Sequence, residues 1–202
     1  MIVSCDAPKE PSAGSSLNGS VETKSRHLQN GPVWETYRVK TIERSVVRAV
    51  VLDVDGHVLL FHTRDPTYPE LGTWWELPGG GIEPGETYTD AIIRELAEEA
   101  GLAIQPDQIG APNWRRRATF RYRGQRRINV EVIVLVQLPV PGPPVDGVGR
   151  VEFEDEDYFD FRWWPVGEVL ASDSRFYPGK LPHLLEAFLA GEQVDEPFEQ
   201  WS

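Results

Sequence analysis

Glu95, Glu98 and Glu99 stand at i, i+3 and i+4 in the stretch Arg94-Glu95-Leu96-Ala97-Glu98-Glu99. On a helix this spacing brings three carboxylates onto neighbouring positions. For stability alone the choice is poor. Like charges at i, i+4 cost about 0.2–0.5 kcal/mol per pair, and anions in a last helical turn lose roughly 0.3–1 kcal/mol each to the helix dipole. A solvated acidic face is the plain alternative. A bound divalent cation reverses the sign of both penalties, and hard oxygen ligands select Mg2+ or Mn2+ with water completing the shell.

The elements that must position these carboxylates are legible on either side. Leu77-Pro78-Gly79-Gly80-Gly81-Ile82-Glu83-Pro84-Gly85-Glu86 is a glycine-rich loop. The helix is predicted to begin near Thr87, because Thr87 and Asp90 have the spacing of a capping box, and to stop at Gly101. Ile92, Ile93, Leu96, Ala97 and Ala100 then form a core-facing stripe, with the three glutamates on the other side.

Taken together, Gly80, five residues, Glu86, seven residues, Arg94-Glu95-Leu96, one residue, Glu98-Glu99, one residue and Gly101-Leu102 resembles the complete signature of the Nudix hydrolases. By order of elements the resemblance extends from about Ser45 to about Leu189; only the box is diagnostic. It implies an α+β fold, a Nudix-type α/β/α sandwich with a mixed β-sheet and the Nudix loop-helix. It implies metal-dependent hydrolysis within a diphosphate linkage of a nucleoside diphosphate derivative: a nucleotide sugar, a dinucleoside polyphosphate or a noncanonical nucleoside triphosphate. Glu95, Glu98 and Glu99 would bind the metal, with the carbonyl of Gly79 or Gly80 as a further donor. Glu86 would approach from the loop, and the Arg94 guanidinium would fix a box glutamate bidentately. The proton acceptor is left open between Glu95 or a box neighbour and a later carboxylate, Glu131, Glu152, Glu154, Asp155, Glu156 or Asp157. The runner-up is a non-catalytic Nudix-like module that senses a nucleotide; such modules usually carry a degraded box. The absence of proline from Ala118 to Tyr122 speaks against the ADP-ribose class, and Cys5 lies too far from the domain for an isopentenyl-diphosphate isomerase.

Two hundred and two residues, 40% hydrophobic with seven tryptophans, suffice for one domain with a core and an extension. A formal net charge of −12 excludes a nonspecific duplex-DNA binder and leaves room for a small phosphorylated substrate. One cysteine, no apolar run of membrane length and no secretory leader point to a cytoplasmic protein away from membranes. Residues 1–32 read as a disordered tail, 33–191 as the Nudix domain and 192–202 as a peripheral tail. The segment Val33–Thr41 admits two arrangements, a homodimer arm and a docked monomeric arm.

Ser45–Val54 and His57–Thr63 read as strands joined by an Asp55-Gly56 hairpin turn, and Thr73–Leu77 as a third. Trp74 and Trp75 should face opposite sides, one in the core and the other lining the site. Trp114–Tyr122 and Arg126–Leu138 read as a long hairpin, followed by helices near Val166–Ala171 and Leu181–Leu189. Substrate contacts outside the box are expected from Arg64, Trp75, Arg116, Glu131 and Glu156. For Arg115, Arg116 and Arg117, strand alternation allows only one face to reach a common ligand. His57, His62 and His183 carry no metal-ligand spacing.

Overall fold

The computed structural model describes residues 21–28, 31–38, 42–122, 125–146 and 158–201. The chain divides into two compact units, Met1–Thr41 and Ile42–Ser202. In the first, β1 (Val21–Leu28) and β2 (Gly31–Arg38) pair antiparallel, Val21 opposite Arg38 and Leu28 opposite Gly31. This hairpin lies across the boundary at residue 32 drawn from composition.

The second unit runs β3 (Ile42–Leu52), β4 (His57–Arg64), β5 (Thr73–Glu76), α1 (Tyr88–Ala100), β6 (Trp114–Tyr122), β7 (Gln125–Gln137), β8 (Tyr158–Pro165), α2 (Val166–Ala171), β9 (Phe176–Tyr177), α3 (Leu181–Leu189), β10 (Val194–Asp195) and β11 (Glu199–Gln200). β3 and β7 pair in parallel along all of β3, from Ile42 opposite Arg127 to Leu52 opposite Gln137. β6 pairs antiparallel with β7, and β10 and β11 add to its outer edge.

The opposite edge of β3 decides where the glycine loop goes. β4 meets β3 only at Leu52 and Val58, then diverges with β8 on one side and β5 and β9 on the other. The vacated edge is taken by the loop: Ala49 N–H donates to Pro78 O, Val47 N–H to Gly80 O and Ile82 N–H to Ser45 O, each at 3.0 Å. Buried backbone groups must be paired, so these bonds clamp residues 78–82 as an added strand.

Strand alternation gives two apolar faces. Val47, Ala49, Val51, Val134 and Val136 pack under Ile92, Leu96 and Ala100 of α1. Val50, Trp114 and Ile133 pack under Leu181, Leu185 and Phe188 of α3. Each fully buried leucine or isoleucine contributes about 1.5–3 kcal/mol. Helices on both faces of a mixed sheet make the α/β/α sandwich expected above.

Three features depart from the sequence reading. β8 follows the acidic run, a segment to which the sequence reading assigned no strand. The turn after β3 is organised by Asp53, whose Oδ1 accepts from Asp55 N–H at 3.0 Å and His57 N–H at 2.7 Å, with Gly56 at φ 79°. Within the last segment, read as peripheral, Val194–Asp195 and Glu199–Gln200 pair with β6, and Val194 and Glu196 are buried. Among the described residues no helix is long and apolar enough to cross a membrane.

Candidate functional site

Helix α1 starts as its capping box dictates: Thr87 Oγ1 accepts from Asp90 N–H, Asp90 returns the bond to Thr87 N–H, and Gly101 ends the helix at φ 67°. The stripe it buries is Ala91, Ile92, Leu96, Glu99 and Ala100, while Ala97 is exposed. Glu99 therefore lies on the core side, a correction to the placement of all three glutamates on the outer face. The spacing explains it: position 99 is seven residues from Ile92 and three from Leu96, on the line of the apolar stripe.

Glu99 is 3% exposed, and its Oε2 accepts the Gly79 N–H at 2.9 Å. Burial pushes its carboxyl up to about 8; the Gly79 bond and Arg48 oppose this, while the charges of Glu95 and Glu76 add to it. Glu95 packs directly on the loop. A Cβ on Gly80 would sit 2.3 Å from Glu95 Oε1, and one on Gly79 would sit 2.3 Å from Val47 O on a backbone already at φ 126°. Gly80→Ala is expected to displace the Glu95 carboxylate while sparing the fold, since the clash is with a side-chain end. A loss of about a hundredfold in kcat, with an unchanged circular dichroism melt, is the expected outcome; full activity would show that the close approach is dispensable.

Arg94 holds the rest together. Its Nε and Nη2 donate to the two oxygens of Glu86 at 3.0 and 3.1 Å, its Nη1 to Glu95 at 2.9 Å and Glu98 at 3.3 Å, and its Nη2 to Gly81 O at 2.9 Å. The bonds it donates to Glu86 are the main reason the guanidinium is held even more firmly protonated than usual. They likewise draw the Glu86 carboxyl below its ordinary value. Arg94 thus binds one glutamate bidentately, and the one it takes is Glu86.

The structure brings in residues that the sequence reading passed over. Arg48, a charge inside the apolar strand β3, donates from Nη1 to Leu77 O at 2.6 Å and lies 3.6 Å from Glu131. Arg44 lies against Gly81, where a Cβ would meet its Nη2 at 2.6 Å. Burial first, then the neighbouring charges of Arg127 and Arg48, lower its pKa. Glu76 is buried, accepts from Trp74 Nε1 at 3.0 Å and adds its charge against Glu99. The signal for Arg48 and Glu76 was a charge inside a strand.

Other expected contacts go elsewhere. Trp75 stacks on His62 with ring centroids 4.4 Å apart and meets Trp164 edge-on, so it belongs to the packing under α3. Trp74, on the other side of β5, is the tryptophan beside Glu76. Arg116 and Glu131 are buried and paired to each other at 3.1 Å. Arg116 also pairs with Glu196 at 3.2 Å and with Glu199, and Tyr177 donates to Glu131 at 2.7 Å. A guanidinium whose charge is answered internally is not presented to a ligand. Arg64 is exposed at the end of β4, opposite Thr73. Glu152, Glu154, Asp155, Glu156 and Asp157 lie outside the described residues.

Two carboxylate groups bear on a metal. Asp53, Asp55 and His57 bring ligand atoms within 4.8 Å of one another. Asp53 is already engaged, however: Oδ1 caps the turn, and Oδ2 accepts from Gly142 N–H at 2.8 Å and faces His57 Nδ1 at 3.1 Å. Burial would raise its carboxyl, but the bonds from His57 and Gly142 prevail and hold it below the usual range. That trio is a turn device. Glu99, by contrast, is buried beside the charges of Glu95 and Glu76, so a nearby cation would favour its ionised form.

Comparison with known proteins accords with this geometry. The family profile described as NUDIX domain matches residues 43–185. An RNA pyrophosphohydrolase of Halorhodospira halophila is 36% identical over 119 residues, covering 54% of this chain and 65% of that protein. One of Dinoroseobacter shibae is 28% identical over 157 residues, covering 72% and 91%. A solved structure of a MutT protein from Methanosarcina mazei shares the fold at a TM-score of 0.51 and 16% identity, over 75% of this chain and 96% of that one. The chain belongs to the Nudix hydrolase family, enzymes that act on acid anhydrides in phosphorus-containing compounds.

Proposed function

We propose that the chain hydrolyses a phosphoanhydride bond at a nucleoside 5′-polyphosphate end, either free or at the 5′ terminus of an RNA, using Mg2+ or Mn2+. The observation that carries this reading is Glu99, a buried carboxyl raised to about 8 beside Glu95 and Glu76 at a glycine loop. The names of the curated relatives favour the RNA terminus. Glu95, Glu98 and Glu99 would hold the ion. The Gly80 carbonyl already accepts from Val47 N–H, so Gly79 is the loop residue suited to add an oxygen. Bound there, a divalent ion supplies charge for the phosphate oxygens and a water made nucleophilic near neutral pH.

The chain's own part is positioning and electrostatics. Arg94 orients Glu86, Glu95 and Glu98 against Gly81. Arg44 on β3 lies within reach of the Glu95 charge, and Arg48 within reach of that of Glu99. Water oxygen bonds to phosphorus as the bridging P–O bond breaks, leaving a shorter 5′-phosphorylated end and phosphate or pyrophosphate.

A release assay tests this directly. The substrates are nucleoside triphosphates, dinucleoside polyphosphates, nucleotide sugars and a 5′-triphosphate RNA, each with Mg2+ and with Mn2+. Release from a polyphosphate end that stops on chelation and returns with added metal is expected. No release from any of them with either metal, or turnover indifferent to chelation, would overturn the proposal.

A further inference from the structure

We infer that Asn129 reads the nucleobase of the substrate, its side-chain carbonyl accepting a hydrogen bond from an exocyclic amino group. The site then prefers adenine or cytosine to guanine or uracil. The inference rests on the nucleoside-polyphosphate reading above and names the base that this reading leaves open. Asn129 is only 3% exposed. Its Nδ2 donates to Glu131 Oε1 at 2.9 Å, but its Oδ1, shielded from solvent, accepts no hydrogen bond from any described residue. Buried amide oxygens are rarely left so, and each such atom calls for a physical account.

The orientation of this amide is set by its neighbour. Glu131 is ion-paired with Arg116 at 3.1 Å and already accepts from the Tyr177 hydroxyl at 2.7 Å. An ion-paired carboxylate accepts and does not donate, so the amide cannot turn over to present its NH2 in place of its oxygen. Oδ1 therefore faces away from Glu131 as a fixed acceptor. Amino and keto bases differ at this point: adenine and cytosine carry an NH2 where guanine and uracil carry a carbonyl oxygen. Two acceptors set face to face leave both unpaired.

Register puts this acceptor within a nucleoside's length of the box carboxylates. Asn129 lies opposite Arg44 on β3 and Ala118 on β6, and residues so paired face the same side of the sheet. Arg44 in turn reaches the glycine loop, where a Cβ on Gly81 would meet its Nη2 at 2.6 Å, and the charge of Glu95 acts on it. Two strand spacings, about 10 Å, separate β7 from that loop. A base held on Asn129 thus leaves its 5′-phosphates at the glycine turn. On the side away from Glu131, half-buried Phe120 takes the next position on this face of β6, its ring centroid 5.9 Å from that of Tyr177. It offers an apolar surface to the ring of the base.

The test compares kcat/KM, with Mg2+ and with Mn2+, on the four nucleoside triphosphates and on 5′-triphosphate trinucleotides that differ in their first base. The full chain is assayed as wild type, Asn129→Leu, Asn129→Ala and Phe120→Ala, with circular dichroism melts verifying the fold. Wild type is expected to favour adenine and cytosine over guanine and uracil at least about tenfold. Both Asn129 variants should bring that ratio to near one, chiefly by losing rate on the amino bases, while Phe120→Ala should weaken all bases alike. If Asn129 serves only to anchor Glu131, its variants melt earlier and keep the ratio. That outcome overturns the inference, as does a wild type indifferent to the base or favouring the keto bases. Binding of the non-hydrolysable β,γ-imido analogues of adenosine and guanosine triphosphate is measured separately by calorimetry. Preference for the adenosine analogue that vanishes in Asn129→Leu, with no triphosphate hydrolysed, overturns the hydrolytic reading and keeps Asn129 as the base reader. Hydrolysis of all bases at one rate does the reverse.

Discussion

Glu99→Gln is expected to lower kcat by about a thousandfold, a loss of about 4 kcal/mol, and at the same time to make the metal-free protein more stable at pH 8. The two effects share one cause. An unfolded glutamate ionises near its ordinary 4.5, whereas folded Glu99 holds its proton up to about 8 because burial disfavours the charge. The folded state thus binds more protons between these values, and wild-type stability must fall as pH rises through that window. Shifts of this size correspond to a few kcal/mol. Glutamine can accept the Gly79 bond through its amide oxygen and never acquires the charge, so it escapes the loss. Calorimetry at pH 5 and pH 8, with and without Mg2+, checks this. The metal should raise the wild-type Tm at pH 8 and do little for the variant. A variant that keeps its rate, or melts below metal-free wild type at pH 8, contradicts the assignment of Glu99.

Arg116→Met is expected to cost about 3–5 kcal/mol of stability, since removing one partner of a buried ion pair strands the others. Glu131 and Glu196 are both buried beside it. Burial already pushes the Glu196 carboxyl up, and Arg116 is the largest influence pulling it back. Tyr177 lies between two cations, its ring centroid 4.8 Å from Arg116 Cζ and 4.7 Å from Arg48 Cζ. The network also fastens β10 and β11 to β6, so its loss should release the last residues first. For a unit of this size Tm should drop by roughly 10 °C. At 15 °C, where the variant is folded, KM for a nucleoside triphosphate should change by less than about threefold. A large rise in KM with Tm unchanged would return Arg116 to the ligand-contacting role suggested by its sequence.

These two residues show where sequence reasoning reached and where it stopped. The capping box at Thr87, the stop at Gly101 and the loop-helix order were legible because each depends on neighbours within a few positions. The bidentate partner of Arg94 was open until Glu86, eight residues away, folded back from the loop. Glu99 was misplaced because the three glutamates were treated as one outward group, although its own position on the helix already lay along the apolar stripe. For Arg115, Arg116 and Arg117, alternation puts Arg116 on one side of the strand and its two neighbours on the other. Which side was buried depended on Glu131, Glu196 and Glu199, up to 83 residues distant. Two-residue strands such as β9 and β10 leave no period to detect.

The sequence by itself determined the helix with its caps, the glycine loop, the hairpins and the complement of carboxylates, since these follow from backbone preferences and short-range spacing. Only the tertiary structure decided that Arg48 and Glu76 bear on Glu99, and that Val194–Asp195 and Glu199–Gln200 join the sheet. Burial and pairing of charge depend on what the rest of the chain places opposite a residue, and desolvation then sets the protonation of Glu99 in a way no local pattern encodes.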